Sequence, residues 1–225
     1  MNQYITSLKD CLLFKGIDEE NIIKMLNCLS ASKKNIFKDE FVFHVGDRVK
    51  NVYIILEGSV HILDEDFWGN RSIIETMHHN TLFGEAYVFS TKENQLVSVI
   101  AAEDSVVLEI DPMRLFKVCP NECSCHTQLI KNTLFILSEK IVQLTEKLGH
   151  IIQRTIREKL LSYLSKCAKR TGNSSFYIPY TRQQLSDYLC VDRSALSHEL
   201  SKLQKIGVLR YRKNYFELLE DPHEI

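Results

Sequence analysis

Between positions 119 and 126 the chain reads Cys119-Pro120-Asn121-Glu122-Cys123-Ser124-Cys125-His126, which places four soft ligands within eight residues. On a helix, Cys119, Cys123 and His126 stand at i, i+4 and i+7. That single face of thiolates and an imidazole suits a metal ion or an iron–sulfur cluster. The same thiols, Cys125 included, could instead sense oxidants through a disulfide or a sulfenate. A third reading is structural, because cysteine is also a common small core residue. Residue types alone leave all three open.

A second concentration of chemistry lies in the last fifty residues. In a helix over Arg193–Leu203, the side chains of Ala195, Leu196, Leu200 and Leu203 share the buried face. Arg193, Ser194, Ser197 and His198 are left together on the outer one. These four can donate or accept hydrogen bonds at base edges in a major groove, and they stand at the amino-terminal end of the helix, where such reading occurs. Lys202, Lys205, Arg210, Arg212 and Lys213 follow as phosphate neutralisers. Asp192 caps this helix. Ahead of it, Thr181-Arg182-Gln183-Gln184 forms a capping box that starts a helix through Leu189. Cys190-Val191-Asp192 is then a turn of helix-turn-helix length.

Charge supports the same partner. The 225 residues carry 28 Lys and Arg against 29 Asp and Glu, a net charge of −1. Residues 1–150 hold 15 basic and 21 acidic side chains, whereas residues 151–216 hold 13 and 4. A surplus of nine positive charges in the second half points to a polyanion partner, with a merely solvated basic surface as the alternative; it is the helix-turn-helix that makes double-stranded DNA the expected polyanion.

The elements that must hold these groups follow from periodicity. The first 35 residues read as helical, with Ile22, Ile23, Leu26 and Leu29 as an apolar face. From Ile36 to Ile110, short β-branched runs alternate with turns. Val52–Leu56 leads through Glu57-Gly58 into Ser59–Leu63 as a hairpin-like pair. Asp64–Asn70 is the next turn, and Val97–Ala101 and Val106–Ile110 flank Glu103-Asp104. Strands at this spacing predict a sandwich or barrel. Farther on, Ile130, Leu134, Leu137, Ile141, Leu144, Leu148 and Ile151 recur at spacings of four and three, a heptad seam expected to pair with a second copy of the chain, the alternative being a long helix packed on its own domain. Gly149-His150 reads as a break and a hinge. Beyond it come an amphipathic helix from Thr155 to Ala168, a loop at Gly172, and a wing of Val208–Tyr211 and Tyr215–Leu219.

Taken in order, these features resemble the cyclic-AMP receptor / fumarate-nitrate reductase regulator (Crp–Fnr) family of bacterial transcription factors. The motifs that carry it are Val52–Val60 with Leu56-Glu57-Gly58, Phe83-Gly84-Glu85, Thr181–Ser186 and Arg193–Ser197. The resemblance implies an α+β chain: a β-roll sensor over residues 1–125, a dimerisation helix over 126–150 and a winged helix-turn-helix over 151–225. It implies that Thr181 and Arg182 touch phosphate, and that Phe83, Gly84, Glu85, Gln95 and Leu96 lie at the effector pocket. A homodimer would then sit on a palindromic operator, with RNA polymerase as a candidate further partner.

Departures from the family pattern bear on the effector. In members that bind cyclic nucleotides, an Arg-Ser pair follows the Gly-Glu by about ten residues and holds the cyclic phosphate; Gln95-Leu96 stands there in this chain. A phosphodiester wants a fixed cation and a donor, so cyclic AMP is disfavoured and the effector stays open. Cys11 and Cys28 are too far apart for the amino-terminal cluster of the iron–sulfur branch.

Other classes are excluded by what the sequence lacks. No run of 18 apolar residues spans a membrane, and no signal-peptide pattern opens the chain, so a cytoplasmic protein is expected. Seven cysteines without secretory context do not suggest a disulfide framework. Cys167 and Cys190 fall on apolar helical faces and are expected in the core. A small β-barrel metalloenzyme would need paired histidines on strands, yet His44 and His61 are isolated and His78-His79 sit in a turn. With no nucleophile motif, HExxH or phosphate-cradling loop, catalysis is not expected.

Overall fold

The computed structural model describes residues 2–90, 96–116 and 124–219. The chain divides into two compact units, Met1–Leu137 and Ser138–Ile225. The first unit begins with α1 (Ile5–Asp10) and α2 (Glu19–Cys28), the latter capped by the Asp18 carboxylate accepting from the Asn21 amide. Eight strands follow: β1 (Ser32–Ile36), β2 (Phe41–Phe43), β3 (Val52–Glu57), β4 (Ser59–Glu65), β5 (Arg71–His78), β6 (Leu82–Phe83), β7 (Val97–Ala101) and β8 (Ser105–Ile110). A short α3 (Glu85–Val88) lies between β6 and β7, and α4 (Pro112–Phe116) follows β8.

Two four-stranded antiparallel sheets form the roll, in the orders β1-β8-β3-β6 and β2-β7-β4-β5. Strand β3 explains why the sheets need each other. Its residues alternate, with Val52, Ile54 and Leu56 packing against the helices and Tyr53 and Ile55 facing the roll interior. Both faces are apolar, so the strand is buried on both sides.

The hairpin expected between Val52–Leu56 and Ser59–Leu63 does not form. Strand β3 pairs with β6 and β8, while β4 pairs with β5 and β7. Gly58 makes the passage from one sheet to the other. It holds a φ of +79°, and a Cβ there would stand 2.8 Å from the Asp104 carbonyl oxygen. Strand β4 instead pairs with β5, from Ser59 opposite His78 to Glu65 opposite Arg71, closed by a turn in which Asp66 accepts from the amides of Trp68 and Asn70.

Three smaller expectations are also corrected. The helical reading of the first 35 residues overran, since β1 begins at Ser32. Ile23 is exposed, whereas Ile22, Leu26 and Leu29 are buried. His78 closes β5, and only His79 lies in the turn, where its Nε2 is 2.6 Å from Ser7 Oγ.

The long α5 (Ser124–Ile151) starts in the first unit and ends in the second. Leu129 and Ile136 join the core of the first unit. No break occurs at Gly149-His150, because the helical hydrogen bonding continues through Ile151. A single glycine costs a helix only about 1 kcal/mol, too little to interrupt one anchored by packing on both sides.

The second unit adds α6 (Ile156–Thr171), β9 (Ser175–Tyr177), α7 (Arg182–Leu189), α8 (Arg193–Lys205), β10 (Leu209–Arg212) and β11 (Tyr215–Leu218). Its sheet runs β10-β11-β9, so the extended stretch ahead of α7 is the third strand of the wing. Leu160, Leu164, Leu185, Leu189, Leu196, Leu200, Leu203 and Phe216 build its core.

Candidate nucleic-acid interface

Two side-chain caps set the helix-turn-helix. The Thr181 hydroxyl accepts from the Gln184 amide at 3.3 Å, and Gln184 Oε1 accepts from the Thr181 amide at 2.8 Å. After α7, Cys190 turns the chain with a φ of +53°, in the left-handed region. Cys190 is therefore an exposed helix cap and not the core residue its spacing suggested. Cys167 is half-buried. Asp192 then caps α8, accepting from the Ala195 amide at 2.8 Å and from the Ser194 hydroxyl at 2.6 Å. The Ser194 bond, with the Ala195 amide next, holds the Asp192 carboxyl below its ordinary value.

Leu196, Leu200 and Leu203 anchor α8 against α7, so its other face points outward. Arg193, Ser194 and His198 are exposed on that face, and Ser197 is partly exposed. The hydroxyls are narrower in chemistry than their residue type suggests. Ser194 gives its proton to Asp192, and Ser197 donates to the Arg193 carbonyl at 2.9 Å. Both therefore present lone pairs outward, fitted to accept from the amino groups of adenine or cytosine, while Arg193 supplies donors.

Ser201 belongs to the same face and was missed. It donates to the Ser197 carbonyl at 3.0 Å and lies 3.4 Å from the Tyr211 hydroxyl of the wing. The signal was present, because Ser194, Ser197 and Ser201 fall at i, i+3 and i+7.

Arg182 has a different setting from the other cations. Its guanidinium lies over the rings of Tyr211 and Phe216, at 5.1 and 5.8 Å, and donates to the Lys213 carbonyl at 3.4 Å. Burial draws its pKa down from the ordinary arginine value. Arg182 thus ties α7 to the tip of the wing, where Lys213 holds a φ of +56°. Arg210 pairs with Glu217 across the β10–β11 ladder at 3.7 Å. Lys202, Lys205, Arg212 and Lys213 are exposed.

In the roll, Phe83, Gly84 and Glu85 are brought together at the junction of β6 and α3. Gly84 needs its φ of +85°, and a Cβ there would meet the Asn51 carbonyl and the Tyr53 ring at 3.1 Å. Phe83 stacks on Tyr53 at 5.1 Å, and Phe43 packs edge-on to Tyr87 at 6.4 Å. Burial, with Glu109 next, pushes the Tyr53 phenol up to about 12, so it stays protonated. An open cavity of about 460 Å³ is lined by Phe43, Tyr53, Asn51, Asp47, Arg48 and Lys50, and the expected pocket residues Phe83, Gly84 and Glu85 are not part of its lining. Leu96 does not line it and is 64% exposed; Gln95 lies outside the described residues.

Of the cysteine cluster, Cys119 and Cys123 also lie outside the described residues. Cys125 is half-buried and His126 buried in the first turn of α5. Along α5 the heptad residues divide. Leu134, Ile141, Leu144 and Leu148 are 57–63% exposed, whereas Ile130 and Leu137 are partly covered by their own unit. At the end of the helix the exposed position is Ile152 and not Ile151. No helix among the described residues is long and apolar enough to cross a membrane.

Comparison with known proteins gives two family matches: a cyclic nucleotide-binding domain over residues 33–122 and a Crp-like helix-turn-helix domain over residues 158–223. Electron transport regulator A of Shewanella oneidensis is 23% identical over 210 residues, covering 91% of this chain and 81% of the relative. The cAMP-activated global transcriptional regulator Vfr of Pseudomonas aeruginosa is 21% identical over 178 residues, 76% of this chain and 81% of its own. Among solved structures, the c-di-GMP responsive regulator CLP of Xanthomonas campestris covers 91% of this chain and 100% of its own, at 19% identity and a TM-score of 0.58. The OCPA complex of CprK covers 90% and 93%, at 15% identity and a TM-score of 0.61.

Proposed function

A chain that sets a cyclic nucleotide-binding domain ahead of a Crp-like helix-turn-helix, as this one does, belongs to the Crp–Fnr transcription regulators, and from that premise we propose how it reads DNA and what controls it. It is a DNA-binding regulator, in a family of regulators and not of enzymes. The proposal is that it works in the cytoplasm as a homodimer. Two copies of α8 then enter successive major grooves of a palindromic operator, about 34 Å apart. The observation that carries this is the outer face of α8, with Arg193, Ser194, Ser197, His198 and Ser201 clear of the core and exposed cations around them. Residues 1–125 act as the sensor, 126–150 as the dimer helix and 151–225 as the reader, with RNA polymerase as the further partner on bound DNA.

The effector is proposed to enter the roll beside Glu85 and the cavity under Tyr53 and Phe43. Cyclic AMP is disfavoured there. Stacked rings fill the interior next to Gly84, and the cations at the cavity are Arg48 and Lys50, on the loop before β3 and not after α3. The alternative input is a thiol, metal or iron–sulfur event at Cys119, Cys123, Cys125 and His126. What supports it is that Cys125 and His126 open the same helix that carries the seam.

The test separates base reading from phosphate contact. Arg193→Ala should cost about 1–3 kcal/mol and relax preference at one base pair per half-site. Lys213→Ala should weaken all duplexes alike and lower the salt slope by about one. Selection from random duplexes, followed by titration at several salt concentrations, measures both. Equal losses on selected and random DNA from both variants overturn the reading.

A further inference from the structure

The last turn of α5 carries an imidazole for which DNA reading, as described so far, has no use. His150 is only 2% exposed, although it stands one residue from the end of the helix. Its Nδ1 lies 2.8 Å from Ser162 Oγ on α6. Its ring meets Tyr163 of α6 edge-on at 5.7 Å and Tyr188 of α7 at 6.2 Å. Those two tyrosines are 5.5 Å apart, and Tyr180 stacks on Tyr188 at 5.1 Å. One side chain of α5 therefore meets two further helices and joins three in all. The first, α5, carries the exposed seam, and the third, α7, supports the reading helix.

We propose that His150 is a positioning residue: it fixes α7, and through α7 the reading helix, to the end of α5, and its protonation loosens that hold and weakens DNA binding. The proposal rests on the DNA-reading assignment above. An imidazole suits the place because, when neutral, it offers apolar ring edges to the tyrosines and one polar atom to Ser162. Alanine would leave a cavity among the rings, and a permanent cation would have to be desolvated.

The charged groups around it favour the neutral form. From α5 itself come Glu146 and Lys147, and from α6 come Lys166, Arg170 and the half-buried Cys167. Glu146, the one acid among them, is already paired with Arg170 at 2.8 Å. The Lys147 ammonium lies over the Tyr188 ring at 5.6 Å, and Lys166 Nζ stands 3.9 Å from where a Cβ on Gly149 would be. From α7 the group presents only the Tyr188 phenol, which burial pushes up to about 12 and so keeps uncharged. A proton on His150 would be buried beside Lys166 and Arg170, with only the already paired Glu146 opposing them. Burial first, and then Lys166, hold its pKa below the ordinary 6.5. With the folded value depressed for a base, the hold is complete above pH 6.5 and is lost as pH falls below it. The loss can reach about tenfold per pH unit for each protomer.

Two measurements on the full chain decide this. The first needs no DNA: NMR titration of the histidine ring protons, with His150 assigned through His150→Gln. A His150 midpoint below 6.5 is expected, and one at or above 6.5 overturns the proposal whatever the protein binds. The second compares affinity for a duplex selected by the wild type, at constant ionic strength, from about pH 7.5 to about pH 5.5. Wild-type binding should weaken about threefold or more, while His150→Gln, which keeps a neutral hydrogen-bonding group, should lose that slope. His198 stands on the reading face, so both series are repeated with His198→Gln to isolate the buried ring. An unchanged pH slope in His150→Gln overturns the proposal. Should His150→Gln fail to fold, Ser162→Ala, which removes the Nδ1 partner, must shift the His150 midpoint; no shift is equally fatal.

Discussion

Replacing Leu144 with glutamate tests whether the seam on α5 joins two copies of the chain. Leu144 is 60% exposed in the single chain, so its own fold makes little use of it. Burying a whole leucine side chain is worth about 1.5–3 kcal/mol. Covering the exposed 60% in a pair therefore contributes roughly 1–2 kcal/mol per protomer, and twice that across a two-fold axis. Two carboxylates brought face to face and dehydrated add at least another ~1 kcal/mol against association. Leu144→Glu should thus weaken the dimer by about 3 kcal/mol or more, over 100-fold in dissociation constant. Leu137→Glu is the contrast, because Leu137 is already partly covered within its own unit and its replacement should lower the melting temperature. Sedimentation equilibrium across a range of concentrations reads the dissociation constants, and thermal melting reads the fold. A Leu144→Glu dimer as tight as the wild type would refute the seam. So would a Leu144→Glu chain that loses stability as much as Leu137→Glu does.

Calorimetry with cyclic AMP should show no binding tighter than about millimolar, since Gln95 and Leu96 bring the phosphate neither a cation nor a hydroxyl; a micromolar constant would disprove the exclusion. Gly58→Ala should destabilise the roll by about 2 kcal/mol or more, because the residue combines a φ of +79° with a Cβ position already occupied by backbone of the β7–β8 turn. Its urea midpoint should fall; an unchanged midpoint would remove Gly58 from the role assigned to it.

How much of this was legible beforehand depended on how local the governing interactions are. The Thr181–Gln184 capping box, the Asp192 cap and the leucine spacing of α7 and α8 act within a few residues, so Thr181–Leu203 could be read directly from its order. The turn at Asp66 was equally readable, because one side chain satisfies the amides two and four residues on. Strand partners were not. β3 and β4 are separated by a single residue yet join different sheets, because β3 is apolar on both faces and must be covered on both.

The sequence by itself determined the order of the parts, the reading helix with its outward side chains, and the excess of positive charge around it. Only the tertiary structure decided which apolar and polar residues those parts leave free. Ile130, Leu137 and Leu144 follow one another at intervals of seven, but the first two are partly covered and Leu144 is exposed. Cys190 keeps an apolar spacing and is exposed all the same, because the turn into α8 requires a left-handed residue there. His150 reads in the sequence as a polar interruption beside a glycine, yet it is buried among tyrosines from α6 and the region of α7. Periodicity records which side of one helix is apolar. It carries no information about the second surface that arrives from elsewhere in the chain, and that surface fixes burial, and with it protonation and exposure.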